Sequence, residues 1–217
     1  MLNQALPMTV ASSPIRDGKT RDLVDRTGPG SVTFYPTDSI IYAQGEKSGQ
    51  LYLVEFGAVR ICRLTADGRR QINSFHFAGE VFGFEADDEH ASFAESVDGA
   101  GVRILRPDGR DAVGVAQRIL ALALQGLTRL QEHLLLLGRM NADERMVSFL
   151  LDLLDRQDSD DLVLLPMQRC DIADYLGMTF ETVSRVLRHL RDKGLIRVPS
   201  VDRIEVLDIE ALHAQLS

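Results

Sequence analysis

Apolar and polar residues follow two different periods along this chain, and the period changes near residue 110. From about Ser31 to Leu105 the apolar positions fall in short runs of β-branched and aromatic side chains broken by glycines, which reads as β-structure. Between Tyr52 and Leu64, Val59 and Ile61 alternate with Arg60 and Cys62. Asp67-Gly68 then marks a hairpin turn, because glycine tolerates the positive φ the turn needs, and Ile72 to Phe77 is the return strand. Many short strands at this spacing predict an antiparallel sandwich or barrel.

Beyond residue 110 the period lengthens. Val113, Ala116, Leu120, Leu124, Leu127 and Leu134 are spaced by three, four, four, three and seven, the pattern of a coiled-coil seam. The spacing predicts a helix over Asp111 to Leu137, about 27 residues and ~40 Å long at 1.5 Å per residue, with Gly138 as its stop. Gln131 sits in or beside the seam as a polar break. Either a second copy of the chain or the chain's own β-region covers the seam. Leu122, Leu130, Leu135, Leu136 and Leu137 lie off it, so the helix is apolar on more than one side and suits both contacts at once.

A third segment starts at Asn141, which stands three residues before Glu144 in the spacing of a capping box. Met146, Val147, Leu150, Leu151, Leu153 and Leu154 form the buried stripe of the helix that follows. Asp158 to Asp161 reads as an acidic loop and Leu162 to Leu165 as a short strand. In RCDIADYLGMTFETVSRVLRHL, residues Arg169 to Leu190, the small Ala173, the turn residue Gly177 and the β-branched Val183 are spaced by four and then six. Those types at that spacing answer the three constraints on two helices joined by a tight turn: close approach, a left-handed turn residue, and a residue that packs back. Ile172, Leu176, Met178, Val186, Leu187 and Leu190 supply the core beneath, and Thr179 caps the second helix. An ordinary helical hairpin is the plainer alternative. Gly194 ends the second helix, Leu195 to Val198 and Arg203 to Leu207 alternate as a hairpin wing, and Asp208 caps a terminal helix.

Composition narrows the function classes. The 217 residues are 45% hydrophobic and 26% charged. No apolar run approaches the ~20 residues that cross a bilayer, so no membrane partner is expected. Met1 to Gly30 mixes Pro, Ser, Thr, Gly and Asp as a mobile arm does, without the basic start and apolar core of a signal peptide, and a cytoplasmic location is expected. Two cysteines, Cys62 and Cys170, cannot build a disulfide framework or a metal clip, and no metal site is expected. No nucleophile elbow, phosphate loop or zinc spacing is present, and the chain is not expected to be an enzyme. Glu85, Asp87, Asp88 and Glu89 read as a solvated acidic loop.

The net charge of −8 argues against a polyanionic partner. The local balance argues otherwise: Pro166 to Pro199 holds six basic residues (Arg169, Arg185, Arg188, Arg191, Lys193, Arg197) against four acidic ones (Asp171, Asp174, Glu181, Asp192). Phe180, Glu181, Ser184, Arg185 and Arg188 share the exposed side of the second motif helix. A phenylalanine among charges makes sense in a DNA major groove, where Arg185 can bond a guanine, Glu181 a cytosine amino group and Phe180 a thymine methyl. Phe180, Glu181, Ser184 and Arg185 are the expected base readers. Arg169, Thr179, Thr182 and Arg188 are the expected phosphate contacts. Cys170, beside Arg169 at a helix N-terminus, is either inert or a redox-sensitive thiol whose oxidation to sulfinic or sulfonic acid sets negative charge against phosphate. Cys62, on a strand, is expected to be inert.

This order of β-region, long helix and winged helix-turn-helix resembles the cyclic-AMP receptor/fumarate-nitrate regulator (Crp/Fnr) family over roughly residues 25 to 217. The most specific match is Glu181-Thr182-Val183-Ser184-Arg185 to the family's E-x-x-S-R motif, and DIADYLGMTFETVSR resembles the FixK branch, regulators of low-oxygen respiration and nitrogen-fixation genes. The resemblance implies an α+β fold: a mobile arm (1–24), an antiparallel β-roll like a cyclic-nucleotide-binding domain (25–108), a dimerisation helix (109–138) and a winged helix-turn-helix (139–217). It also implies a homodimer on a palindrome near TTGAT-N4-ATCAA, and an activator that contacts RNA polymerase.

Departures from the family bear on the effector. Cyclic-nucleotide binders carry Gly-Glu early and Arg-Ser-Ala late in a phosphate cassette. Gly79 and Glu80 are present, but Glu89, His90, Ala91 and Ser92 stand where the arginine would be, among acids that repel phosphate. Four-cysteine iron–sulfur ligation is excluded by the cysteine count. His76 and His90 are conceivable haem ligands, though lone histidines are more often structural. The expectation is a regulator without cofactor or cyclic nucleotide. The rival reading is a ligand-binding sensor acting through protein contacts, which would explain the acidic charge but not the reading face.

Overall fold

Eight strands fill the first half of the described chain, which comprises residues 20, 23, 24, 27, 30–65, 68, 70–106 and 111–216 of a computed structural model. They are β1 (Val32–Tyr35), β2 (Ile40–Tyr42), β3 (Leu51–Phe56), β4 (Ala58–Leu64), β5 (Arg70–Phe77), β6 (Val81–Phe82), β7 (Phe93–Ser96) and β8 (Ala100–Leu105). Two antiparallel four-stranded sheets result, in the orders β1-β8-β3-β6 and β2-β7-β4-β5. Gly57 divides the apolar run from Tyr52 to Leu64 into β3 and β4. Its φ is +77°, and a Cβ there would meet the Gly99 carbonyl oxygen at 2.0 Å, so no other residue fits. The expected hairpin joins β4 to β5, with Gly68 at φ +78°; Asp67 lies outside the described residues. Tyr42, Tyr52, Val54, Val59, Phe82, Ala94, Ala100 and Val102 fill the interior between the sheets.

Of the expected N-terminal arm, residues 1–19, 21 and 22 lie outside the described residues. Leu23 is buried with Leu53, Val81, Leu105, Val115 and Leu122, which joins it to the base of the β-roll.

Helix α1 spans Ala112–Arg139, and the Asp111 side chain accepts from the Gly114 N–H at 2.9 Å as its cap. Gly138 does not stop the helix. It lies in the last turn, and the Met140 N–H still closes on the Leu136 carbonyl. The chain turns extended only at Met140, because Asn141 opens the next helix with a complete capping box to Glu144. The face of α1 turned to the rest of the chain carries Val115, Leu122, His133 and Leu136. The seam residues point away from it: Val113 is 71% exposed, Leu120 59%, Leu124 54%, Leu127 49% and Leu134 60%, and Ala116 is exposed beside them.

The remaining elements are α2 (Ala142–Gln157), β9 (Leu162–Leu164), α3 (Arg169–Leu176), α4 (Phe180–Asp192), β10 (Ile196–Ser200), β11 (Arg203–Val206), α5 (Ile209–His213) and a 3-10 turn (Ala214–Leu216). The wing gains a strand the hairpin pattern does not announce: β9 pairs with β11, giving the order β10-β11-β9. Leu151, expected in the buried stripe of α2, is only partly buried, and Phe149 is buried instead.

One apolar cluster runs through both halves of the molecule. Ala58, Cys62, Ile72 and Phe75 from the β-roll pack in the same core as Met146, Leu150, Ile172, Leu176, Val183 and Leu190. Each fully buried aliphatic chain of this kind stabilises the fold by roughly 1.5–3 kcal/mol. The outer face of the β4-β5 hairpin is therefore covered by α3, and Arg60, polar in the strand alternation, is 5% exposed. No helix among the described residues is long and apolar enough to cross a membrane.

Candidate nucleic-acid interface

The motif is built as its residues demand. Ala173 is buried where α3 meets α4, Gly177 takes φ +61° in the turn, and Val183 is fully buried where α4 packs back. The Thr179 hydroxyl accepts from the Thr182 N–H at 3.2 Å and so opens α4. Val183, Val186, Leu187 and Leu190 form the inner face of that helix.

Its outer face carries the expected readers. Phe180, at the first helical position, is 51% exposed, a large apolar ring left in water. Glu181, Arg185 and Arg188 are exposed and Ser184 is half-buried. The Glu181 carboxylate accepts from its own backbone N–H and from the Thr179 hydroxyl, which hold its pKa below the ordinary glutamate value, so it stays an anionic acceptor. Arg185 donates to the Thr182 hydroxyl at 3.4 Å and Arg169 to the Ser184 hydroxyl at 3.4 Å. These long bonds from exposed or half-buried guanidinium groups leave most of their donors for a ligand. Cys170 is exposed, with its sulfur 3.7 Å from Gln168 Oε1. Cys62 is buried, and burial, with Glu95 next, pushes its thiol up to about 12, which keeps it protonated.

Four residues that no local spacing reveals shape the charge of this face. Asp171, on α3, is 2% exposed and accepts from Arg60 Nη1 at 3.2 Å and from Arg70 Nη2. Asp174 accepts from Arg70 Nε at 3.0 Å. Arg60 also donates to Asp38 and Glu95, each at 2.8 Å. Burial would lower the Arg60 pKa, but Glu95, Asp171 and Asp38 outweigh it and raise it. Two of the four acids counted against DNA binding, Asp171 and Asp174, are thus paired with arginines of the β-roll, which weakens their repulsion of a polyanion.

Glu80, the glutamate that the resemblance set in a nucleotide cassette, is bonded by arginines of its own chain. Glu80 accepts from Arg156 Nη2 at 2.7 Å and Nε at 3.1 Å, and from Arg129 Nη1 at 3.1 Å. Burial alone would raise its pKa, yet Arg156, His76 and Arg129 hold it below the ordinary value. His90 stacks on Tyr42 with centroids 3.6 Å apart, and its Nδ1 lies 3.3 Å from Glu85. His76 Nε2 shares a bond with the Ser74 hydroxyl at 3.1 Å. Among the described residues no group of three or more potential ligands is placed to hold a metal ion.

Comparison with known proteins agrees with this construction. A model of the Crp-like helix-turn-helix domain matches residues 144–215, and a model of the cyclic nucleotide-binding domain matches residues 32–92. The nitrogen fixation regulation protein FixK of Rhizobium meliloti is 46% identical over 188 residues, 87% of this chain and 88% of that protein. The transcriptional activatory protein AadR of Rhodopseudomonas palustris is 35% identical over 190 residues, 83% of this chain and 79% of that protein. The solved structure of FixK2 from Bradyrhizobium japonicum superposes with a TM-score of 0.81 at 36% identity, covering 86% of this chain and 97% of that one. The chain belongs to the Crp/Fnr family of transcription regulators, in its FixK-like branch, and α3 and α4 are its DNA-binding helix-turn-helix.

Proposed function

We propose that the protein binds DNA as a homodimer at a palindrome near TTGAT-N4-ATCAA and activates low-oxygen respiration or nitrogen-fixation genes, contacting RNA polymerase as it does so. The observation that carries this reading is the outer face of α4, where a half-exposed Phe180 stands beside Glu181, Ser184 and Arg185 at the helix start that enters a major groove. Phe180, Glu181, Ser184 and Arg185 read bases; Arg169, Thr179, Thr182 and Arg188 contact phosphates and fix the register. The dimer forms along Val113, Ala116, Leu120, Leu124, Leu127 and Leu134. Their exposure on a 28-residue helix supports this, since α1 already has a different face against its own β-roll. The printed names of the relatives, nitrogen fixation regulation and transcriptional activatory proteins, support the target class.

The protein acts without cyclic nucleotide, iron–sulfur cluster or haem. Glu80 is already bonded by two arginines of its own chain, Tyr42, Tyr52 and Phe82 fill the β-roll interior, and the acids from Glu85 to Glu89 repel phosphate. Two cysteines are too few for a four-thiolate cluster. Redox state tunes DNA binding through Cys170. Peroxide takes its sulfur to sulfenic and then sulfinic acid, each step adding one oxygen and releasing one water, and the resulting anion opposes phosphate.

The test is binding of the purified protein to a labelled TTGAT-N4-ATCAA duplex in reductant, without cyclic AMP, beside a Glu181→Ala/Arg185→Ala double variant. Tight binding by the wild type alone is expected. Binding that requires an added small molecule overturns the effector-free reading. No binding by a folded wild type under any condition overturns the DNA-reading assignment in favour of protein contacts.

A further inference from the structure

Arg145 lies in the first turn of α2, yet among the described residues its guanidinium bonds only main-chain carbonyls at the ends of two other helices. Nη2 donates to Leu137 O at 2.8 Å, in the last turn of α1. Nε donates to Met140 O at 2.9 Å, in the link between α1 and α2. Nη1 donates to Leu176 O at 3.0 Å and, more weakly, to Gly177 O at 3.4 Å, where α3 ends. The last four carbonyls of a helix have no partner within it, and they carry the negative end of the helix dipole. Arg145 therefore satisfies the C-termini of α1 and α3 together. Its donors form a planar, rigid fork, so the two helix ends are held in one relative orientation.

The place where it does so matters. Gly177 lies close against the end of α1: a Cβ on it would stand 3.3 Å from Leu137 Cδ2 and 3.5 Å from Arg145 Nη1. Two residues later Thr179 caps α4. The start of the recognition helix is thus tied to the end of the helix whose apolar seam faces outward.

We propose that Arg145 is a positioning residue that sets the separation of the two recognition helices on DNA. The proposal rests on the dimeric palindrome reading above. In such a dimer the two-fold axis runs between the paired α1 seams, so the angle between the end of α1 and the start of α4 determines how far apart the two reading faces stand. Half-sites lie about 34 Å apart, and one base pair more or less shifts the partner site by about 3.4 Å and turns it by roughly 34°. A rigid clamp makes the protein select one spacer. A loose one lets the reading heads follow several.

Full-length wild type, Arg145→Ala and Arg145→Lys are titrated against TTGAT/ATCAA duplexes with spacers of three, four, five and six base pairs, and against a single half-site. The wild type is expected to favour one spacer over its neighbours by about tenfold or more. Arg145→Ala is expected to reduce that ratio to about threefold or less while half-site binding stays within about threefold of wild type. Arg145→Lys, which keeps a donor for some of the carbonyls, should fall between. Equal weakening of every spacer by Arg145→Ala, or an unchanged pattern, overturns the proposal and leaves a plain folding role. If the alanine variant is unfolded by far-UV circular dichroism, the lysine variant is judged by the same criterion. A wild type with no spacer preference overturns the palindrome reading and this proposal together, whereas a selective wild type with an equally selective variant overturns the proposal alone.

Discussion

Arg156 donates Nε and Nη2 to the Glu80 carboxylate, at 3.1 and 2.7 Å, and so bonds the first helix of the DNA-binding domain to the turn that follows β5. The same guanidinium donates to Phe75 O at 2.6 Å and to Asp152 at 3.1 Å, and lies 4.4 Å from the centre of the Phe77 ring. Arg129 of α1 donates Nη1 to Glu80 Oε1, the oxygen that also accepts from Arg156 Nε. One carboxylate thus joins the β-roll, the long helix and the DNA-binding domain.

Removing one member of a buried pair leaves the other uncompensated and costs about 3–5 kcal/mol. Glu80→Ala is expected to lower stability by about that much in urea, followed by tyrosine fluorescence because the chain has no tryptophan. Glu80→Leu combined with Arg156→Met should recover part of the loss, since neither charge is then stranded. A single Glu80→Ala change that leaves the midpoint unmoved would show that solvent compensates Arg156 fully.

His76 and His133 predict an acid-labile fold. Burial lowers both pKa values, that of His76 to about 4. At His76, the Glu80 charge works against that lowering, while Arg156 and Arg129 add to it. Below the unfolded value of about 6.5 the unfolded chain takes up a proton that the folded chain refuses, so stability falls as pH drops from about 6.5 towards 4 and levels off below. The loss at His76 is about 3 kcal/mol over that window. Unfolding midpoints across pH 4–7 should show this slope, and His76→Phe should flatten it.

The exposed seam of α1 is expected to hold the dimer. Leu120→Glu/Leu127→Glu should give a monomer in sedimentation equilibrium at concentrations where the wild type is dimeric. Because these side chains are about half exposed in the single chain, the monomer's own thermal transition should move little. An unchanged mass would return the seam to some other partner.

Arg185 and Arg188 should fail differently. Arg185→Ala is expected to cost about 1–3 kcal/mol on the cognate half-site and to relax selectivity at one base pair. Arg188→Ala should weaken all sequences alike and reduce the slope of log K against log salt by about one. Loss of selectivity with Arg188 and not Arg185 would exchange their roles.

Cys170 is expected to make DNA binding sensitive to peroxide, and Cys170→Ala to resist it. Cys62 is buried and protonated, so Cys62→Ser should leave the peroxide response unchanged. Equal sensitivity of wild type and Cys170→Ala in a binding titration removes the redox role.

Much of this molecule is legible locally. Asn141 and Glu144 form their capping box, Thr179 and Asp208 cap their helices, and Ala173, Gly177 and Val183 occupy the places their spacing assigns. Each of these depends on atoms within a few residues along the chain, so the order of residue types carries it. Gly138 shows where that logic weakens. A glycine near a helix end is a permissive stop, and the stronger start signal at Asn141 decided where α1 turned.

The sequence by itself determined the period change near residue 110, the helix-turn-helix, the exposed face of α4 and the apolar seam of α1, because periodicity, capping and turn chemistry are short-range. Only the tertiary structure decided which charges remain available to DNA. Asp171 looks like an acid beside a phosphate-binding arginine, and Arg60 like an outward residue on a strand. They meet across 111 residues, and each removes the other from the surface. Glu80 and Arg156 do the same across 76. A buried charge must find its partner in space, and nothing in the spacing of neighbours along the chain says which partner the fold will bring.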